Sequence, residues 1–176
     1  LIADENVVIT ISHAGYIKRT NLTEYKTQNR GGVGQKSAGT RDQDFLEHMY
    51  VATNHQYMMF FTQKGKCFWM RVYEIPEGSK TAKGRAIQNL VNIESDDKVK
   101  AFICTQDLKD KDYISSHNLV MVTKQGQVKK TSLEKYSKPR VNGVAAITIK
   151  EGDELLEAQL TNGESQIILA VKSGKL

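Results

Sequence analysis

Val7-Val8-Ile9-Thr10-Ile11-Ser12-His13-Ala14-Gly15-Tyr16-Ile17-Lys18-Arg19-Thr20 is an apolar run, a tight polar turn and a second run. The pattern returns in Tyr57-Met58-Met59-Phe60-Phe61-Thr62-Gln63-Lys64-Gly65-Lys66-Cys67-Phe68-Trp69-Met70 and in Asn118-Leu119-Val120-Met121-Val122-Thr123-Lys124-Gln125-Gly126-Gln127-Val128-Lys129-Lys130-Thr131, and residues 166–176 open a fourth copy. The turn glycines Gly15, Gly65, Gly126 and Gly174 stand 48 to 61 residues apart. The runs are too short for ordinary helices and rich in β-branched and aromatic residues. Each copy therefore predicts a β-hairpin whose glycine takes a positive φ without steric cost.

Outward from the hairpins, Leu22-Thr23-Glu24-Tyr25, Val72-Tyr73-Glu74-Ile75 and Leu133-Glu134-Lys135-Tyr136 occupy matching places. A polar loop follows each, with Gly32, Gly84 or Gly143 lying 17 to 19 residues after the turn glycine. Acidic turns at Asp44, Asp97 and Asp153 then lead into another apolar stretch. A unit of about 50 residues with about four short strands has the spacing of propeller blades, whose neighbours bury one another's faces. The expected fold is all-β: propeller-like, four-stranded antiparallel blades, about three of them plus the start of a fourth. The repeats run at approximately 1–52, 53–112, 113–163 and 164–176 within a single domain, and residues 107–116 read as a charged surface insertion.

Composition narrows the function. The chain has 176 residues, 39% of them hydrophobic, enough for a packed interior, and two prolines with no low-complexity run exclude a disordered or collagenous chain. Cys67 and Cys104 make neither a disulfide framework nor a zinc spacing, and point to a reducing, cytosolic compartment. Apolar runs of about five residues fall far short of the ~20 needed to span a bilayer. With no initiator Met and an end inside the fourth copy, the sequence reads as a piece of something longer. His13, His48, His55 and His117 lack metal-ligand spacing, and the neighbours Ser12 and His13 make no triad. Phe68 and Trp69 sit inside a strand pattern and read as blade core rather than as platforms for bases.

Charge follows the repeat. The net charge is only +5, yet segments 15–41, 63–85 and 124–140 hold 18 of the 25 Lys and Arg and only four of the 20 acidic residues. Equivalent positions of successive blades sit at equivalent places around a disc, so a basic segment in every repeat becomes a positive band along the rim, the footprint of a nucleic-acid backbone. The expected contacts are Lys18, Arg19, Arg30, Lys36, Arg41, Lys64, Lys66, Arg71, Lys80, Lys83, Arg85, Lys124, Lys129, Lys130, Lys138 and Arg140. In Gln28-Asn29-Arg30-Gly31-Gly32-Val33-Gly34, glycines let backbone N–H groups approach a phosphate and Arg30 offers a guanidinium fork; no Gly-Lys-Ser/Thr ending follows, so it is not a nucleotide loop.

These residues resemble the C-terminal DNA-wrapping domain of the DNA gyrase A protein, part of a bacterial type IIA topoisomerase. The resemblance runs through Ser12-His13-Ala14-Gly15-Tyr16, Val72-Tyr73-Glu74-Ile75-Pro76, Lys83-Gly84-Arg85-Ala86-Ile87-Gln88-Asn89-Leu90 and Gly152-Asp153-Glu154-Leu155-Leu156. It implies a β-pinwheel of roughly six blades. The family's box, Gln-Arg-Arg-Gly-Gly-Arg/Lys-Gly, falls on residues 28–34; Gln28, Arg30, Gly31, Gly32 and Gly34 agree, while Asn29 and Val33 replace basic residues, so the glycine geometry is kept and two charges are lost. The resemblance further implies duplex DNA bent around the rim and ATP-dependent negative supercoiling by a complex of a gyrase A dimer with the gyrase B subunit. It implies a bacterial cytoplasmic, nucleoid-associated setting, a catalytic tyrosine outside this chain, and no cofactor in this domain, ATP and magnesium being used elsewhere in the enzyme. The corresponding domain of topoisomerase IV, with related blades and a degenerate or absent box, remains an alternative, as does a protein-binding propeller scaffold.

Overall fold

The computed structural model describes residues 2–27 and 44–162. In chain order the strands are β1 (Asn6–Ser12), β2 (Tyr16–Asn21), β3 (Leu46–Thr53), β4 (Tyr57–Thr62), β5 (Lys66–Arg71), β6 (Arg85–Ala86), β7 (Val99–Cys104), β8 (Asn118–Thr123), β9 (Val128–Ser132), β10 (Val144–Ala145) and β11 (Leu155–Thr161). Two short helices accompany them, α1 (Leu22–Thr27) and α2 (Lys111–Ser116). The described residues form three antiparallel sheets, ordered β3-β1-β2-β6, β10-β5-β4-β7 and β11-β8-β9. The three expected hairpins are β1–β2, β4–β5 and β8–β9, with φ of 89°, 88° and 91° at Gly15, Gly65 and Gly126.

The continuous apolar runs have a packing cause: a central strand covered on both faces has no polar face to alternate with. In β4, Met58 and Phe60 enter a core shared with Val7, Ile9 and Ile11 of the first sheet, while Met59 and Phe61 enter a second core with Leu119, Met121 and Leu155 of the third. All four β4 side chains are fully buried, each contributing about 2–3 kcal/mol. The opposite edge strands β3, β7 and β11 meet at a cavity of about 410 Å³ lined by His48, Tyr50, Lys100, Phe102, Glu157 and Gln159. β6 and β10 lie at the opposite edge of their sheets, here called the outer edge.

The outermost strand of each four-stranded sheet comes from the following repeat. β6 pairs with β2 (Tyr16↔Ala86, Ile17↔Arg85) and β10 with β5 (Val144↔Cys67, Ala145↔Lys66). The recurring loop glycines make this possible. Gly84 (φ +85°) lies so close to β2 that a Cβ would overlap the Ile17 carbonyl oxygen, and a Cβ on Gly143 (φ +71°) would stand 2.7 Å from Phe68 Cε1 and 2.8 Å from the Cys67 oxygen.

The recurring aspartates close the hairpin turns. Asp44, Asp97 and Asp153 each accept a hydrogen bond through Oδ1 from the residue before a turn glycine: Ala14 N–H at 2.9 Å, Lys64 N–H at 3.0 Å and Gln125 N–H at 2.9 Å. Burial would raise the Asp153 carboxyl, but bonds from the Thr123 hydroxyl and from the Gln125 and Glu154 N–H groups outweigh it and hold the group below the ordinary range. Residues 107–116 are more than a solvated insertion. Leu108 and Tyr113 are buried in the second core, and Asp110 caps α2 by accepting from Asp112 N–H at 3.0 Å.

Candidate nucleic-acid interface

The basic loops of the second and third repeats feed directly into β6 and β10, so two consecutive sheets carry cations at the outer edge. On the first, Lys80 and Lys83 stand over the Tyr25 and Tyr16 rings at 4.8 and 4.1 Å, and Arg85 is exposed on β6 itself. Lys138 and Arg140 are exposed in the loop before β10, and Lys124 and Lys130 are exposed at the turn and outer strand of the third sheet. The rings hold the two lysines in place by cation–π attraction.

Other predicted contacts are engaged differently. Lys18 is 8% exposed, and its ammonium donates to the carbonyls of Ser79 (2.9 Å), Lys80 (2.7 Å) and Ala82 (2.7 Å); all three N–H groups are used, which corrects its assignment as a DNA contact. Arg19 donates to the Tyr73 carbonyl at 3.2 Å, and Trp69, at the equivalent place in the second repeat, donates to the Tyr136 carbonyl at 3.0 Å. This position ties the first blade to the second repeat and the second blade to the third. Lys129 Nζ donates to the Ala146 carbonyl at 2.8 Å. Arg71 lies over the Tyr57 ring at 4.3 Å and donates to the His55 carbonyl, at the end of β5 away from the hairpin turn.

Glu94 and Asp96, outside the basic segments in sequence, fold onto that band. Lys64 Nζ is 3.2 Å from Glu94 Oε2 and 2.5 Å from Asp96 Oδ2, and Lys66 Nζ is 3.2 Å from Glu94 Oε1. Hydrogen bonds to Asp96 and Glu94 raise the Lys64 ammonium, while Lys64 and Lys66 lower Glu94, and Lys64 lowers Asp96. No periodicity singles out this pair in the sequence, because the partners lie about 30 residues apart. Arg30, Lys36, Arg41 and the box-like loop (Gln28, Asn29, Gly31, Gly32, Val33 and Gly34) lie outside the described residues, as does the fourth repeat.

Among the described residues no group of three or more His, Cys, Asp or Glu could hold a metal ion, and no helix is long and apolar enough to cross a membrane. Phe68 is buried, and the Trp69 hydrogen bond makes it part of the packing. Burial pushes the Cys67 thiol well up and that of Cys104 to about 11.

The three blades coincide with three successive matches, at residues 6–53, 56–106 and 117–162, to the family described as DNA gyrase C-terminal domain, beta-propeller. The chain belongs to the DNA gyrase C-terminal domain family. The DNA gyrase A protein of Buchnera aphidicola subsp. Baizongia pistaciae is 43% identical over 99% of this chain, which spans 20% of that protein's length. Among solved structures, the C-terminal domain of DNA topoisomerase IV matches 93% of the chain at a TM-score of 0.75 and 29% identity, over 48% of its own length. The DNA gyrase A C-terminal domain matches 90% at 0.63 and 23% identity, over 48% of its length, a likeness of fold. As a gyrase C-terminal domain, the chain keeps its blades through the strand exchange at β6 and β10 and its turns through the three aspartates.

Proposed function

We propose that this domain binds duplex DNA without sequence preference along its basic outer edge and bends it, as the C-terminal domain of a gyrase A protein, directing ATP-dependent negative supercoiling by the whole enzyme. The observation that carries this reading is the recurrence of exposed cations beside the outermost strands of consecutive sheets: Lys83 and Arg85 at β6, Lys138 and Arg140 before β10. Single lysines are ordinary surface residues, but a repeated set along one edge can follow a curved phosphate backbone. Bending a 20–30 bp site costs about 1–6 kcal/mol, so several contacts must act together. With about eight, log K against log[salt] has a slope near −7.

In this reading the domain positions DNA and performs no chemistry. The catalytic tyrosine, ATP and magnesium belong to other parts of an assembly of a gyrase A dimer with the gyrase B subunit, in the bacterial cytoplasm on the nucleoid. By sequence, residues 28–34 with Arg30, and Lys36 and Arg41, are further candidate phosphate contacts of the same role. The test is ligation of nicked circular DNA with the full-length protein, against K83Q/R85Q/K138Q/R140Q. The expected result is a shifted linking-number distribution that the quadruple variant abolishes. Binding with no shift refutes wrapping and favours the topoisomerase IV reading, to whose solved domain the fold is also similar; no salt-dependent binding favours a protein scaffold.

A further inference from the structure

Lys18 is a buried ammonium facing three backbone carbonyls. β2 places it opposite Thr10 of β1, and its side chain reaches across the repeat boundary to the Ser79, Lys80 and Ala82 oxygens at 2.7 to 2.9 Å. Charge-assisted bonds of this kind are roughly twice as strong as neutral ones, and here they converge on one loop. The same loop is tied to β2 by Arg19 N–H to the Pro76 oxygen at 2.9 Å, Gly78 N–H to the Arg19 oxygen at 3.0 Å and the Thr20 hydroxyl to the Gly78 oxygen at 2.9 Å. Gly84 closes it against Ile17. Between these ties the loop carries Lys80 and Lys83 and delivers Arg85.

We propose that Lys18 is a positioning residue: it fixes the loop of residues 76–84 so that Lys80, Lys83 and Arg85 face the DNA backbone together, without itself touching a phosphate. This rests on the DNA-binding reading. The buried charge stands against the loop that carries the exposed Lys83 and delivers the exposed Arg85, and it is balanced by carbonyl dipoles. Its counterpart in the second repeat, Phe68, is a buried apolar side chain that a Cβ on Gly143 would overlap.

The experiment compares K18M, K80Q/K83Q/R85Q and their combination in the full-length protein by the salt slope of duplex binding, and K18M and K18R with the parent by tryptic cleavage after Lys80 and Lys83. The triple variant is expected to make the slope shallower by about 2.7, from ~0.9 per phosphate contact. K18M alone is expected to lose most of that same slope, to add nothing in the combination, and to speed cleavage of the loop, while K18R restores part of both. K18M with the parental slope and a triple variant with a reduced one overturns the positioning role and leaves the DNA reading standing. A loss of about 0.9 from K18M that adds to the triple variant also overturns it, by making Lys18 a direct contact. A triple variant with the parental slope overturns the DNA reading of this edge and the proposal with it. Should K18M not fold, T20V removes one tie to the same loop and is expected to reduce the slope in the same direction; T20V with the parental slope overturns the proposal.

Discussion

Replacing Glu94 with Gln and Asp96 with Asn removes the carboxylates that hold Lys64 and Lys66. In the structure Lys64 meets both acids and Lys66 meets Glu94, so a phosphate approaching this turn must first displace carboxylate oxygens at 3.2 Å. If each freed lysine then engages one phosphate, the slope of log K against log[salt] steepens by about 0.9 per contact, or ~1.8 for the pair. Across the fourfold range from about 200 to 50 mM salt, the variant gains roughly tenfold over the parent beyond any difference at the higher salt. Fold stability stays near the parental value, since exposed ion pairs contribute little. Fluorescence anisotropy with a labelled duplex at several salt concentrations measures the slope, and adding K64Q/K66Q is expected to return it to the parental value or below. A slope unchanged by E94Q/D96N would place both lysines off the path of the DNA and refute the reasoning.

Two further outcomes follow from the glycines and the turn aspartates. Gly84→Ala and Gly143→Ala are each expected to cost about 2–4 kcal/mol in denaturant unfolding, combining a left-handed φ with forced overlap, whereas Gly126→Ala, with open space around it, carries only the φ penalty of about 1–3 kcal/mol; equal losses would contradict the close-approach account. Because the folded Asp153 titrates below the ordinary carboxyl value of about 3.9, its contribution is complete above that pH and disappears as pH falls through the lowered value. The gap in thermal midpoint between the parent and D153N is therefore expected to stay constant from neutral pH down to about 5 and to shrink below about 4, and a gap unaltered at low pH would rule out the carboxylate as its source.

Much of the architecture was legible because it is periodic. Turn glycines at 15, 65 and 126 and aspartates at 44, 97 and 153 recur because each hairpin needs the same positive φ and the same carboxylate acceptor for a backbone N–H. The apolar runs of β1, β4 and β8 recur because each of these strands has a sheet neighbour on both sides and buried residues on both faces. Strand exchange was less legible: Arg85–Ala86 and Val144–Ala145 are too short to show a period, and their partners lie in the preceding repeat.

The candidate interface divides along the same line. Local sequence determines that Lys and Arg cluster in the turn and loop segments, since composition along the chain is enough to see it. Only tertiary structure decides what each charge does: Lys18 is consumed by three carbonyls, Lys64 and Lys66 by acids from a distant turn, while Lys83 and Arg85 stay on the outside. The physical reason is range. A turn or a strand is selected by neighbours a few residues away, but the state of a charge depends on whichever dipoles and counterions folding brings within a few ångströms.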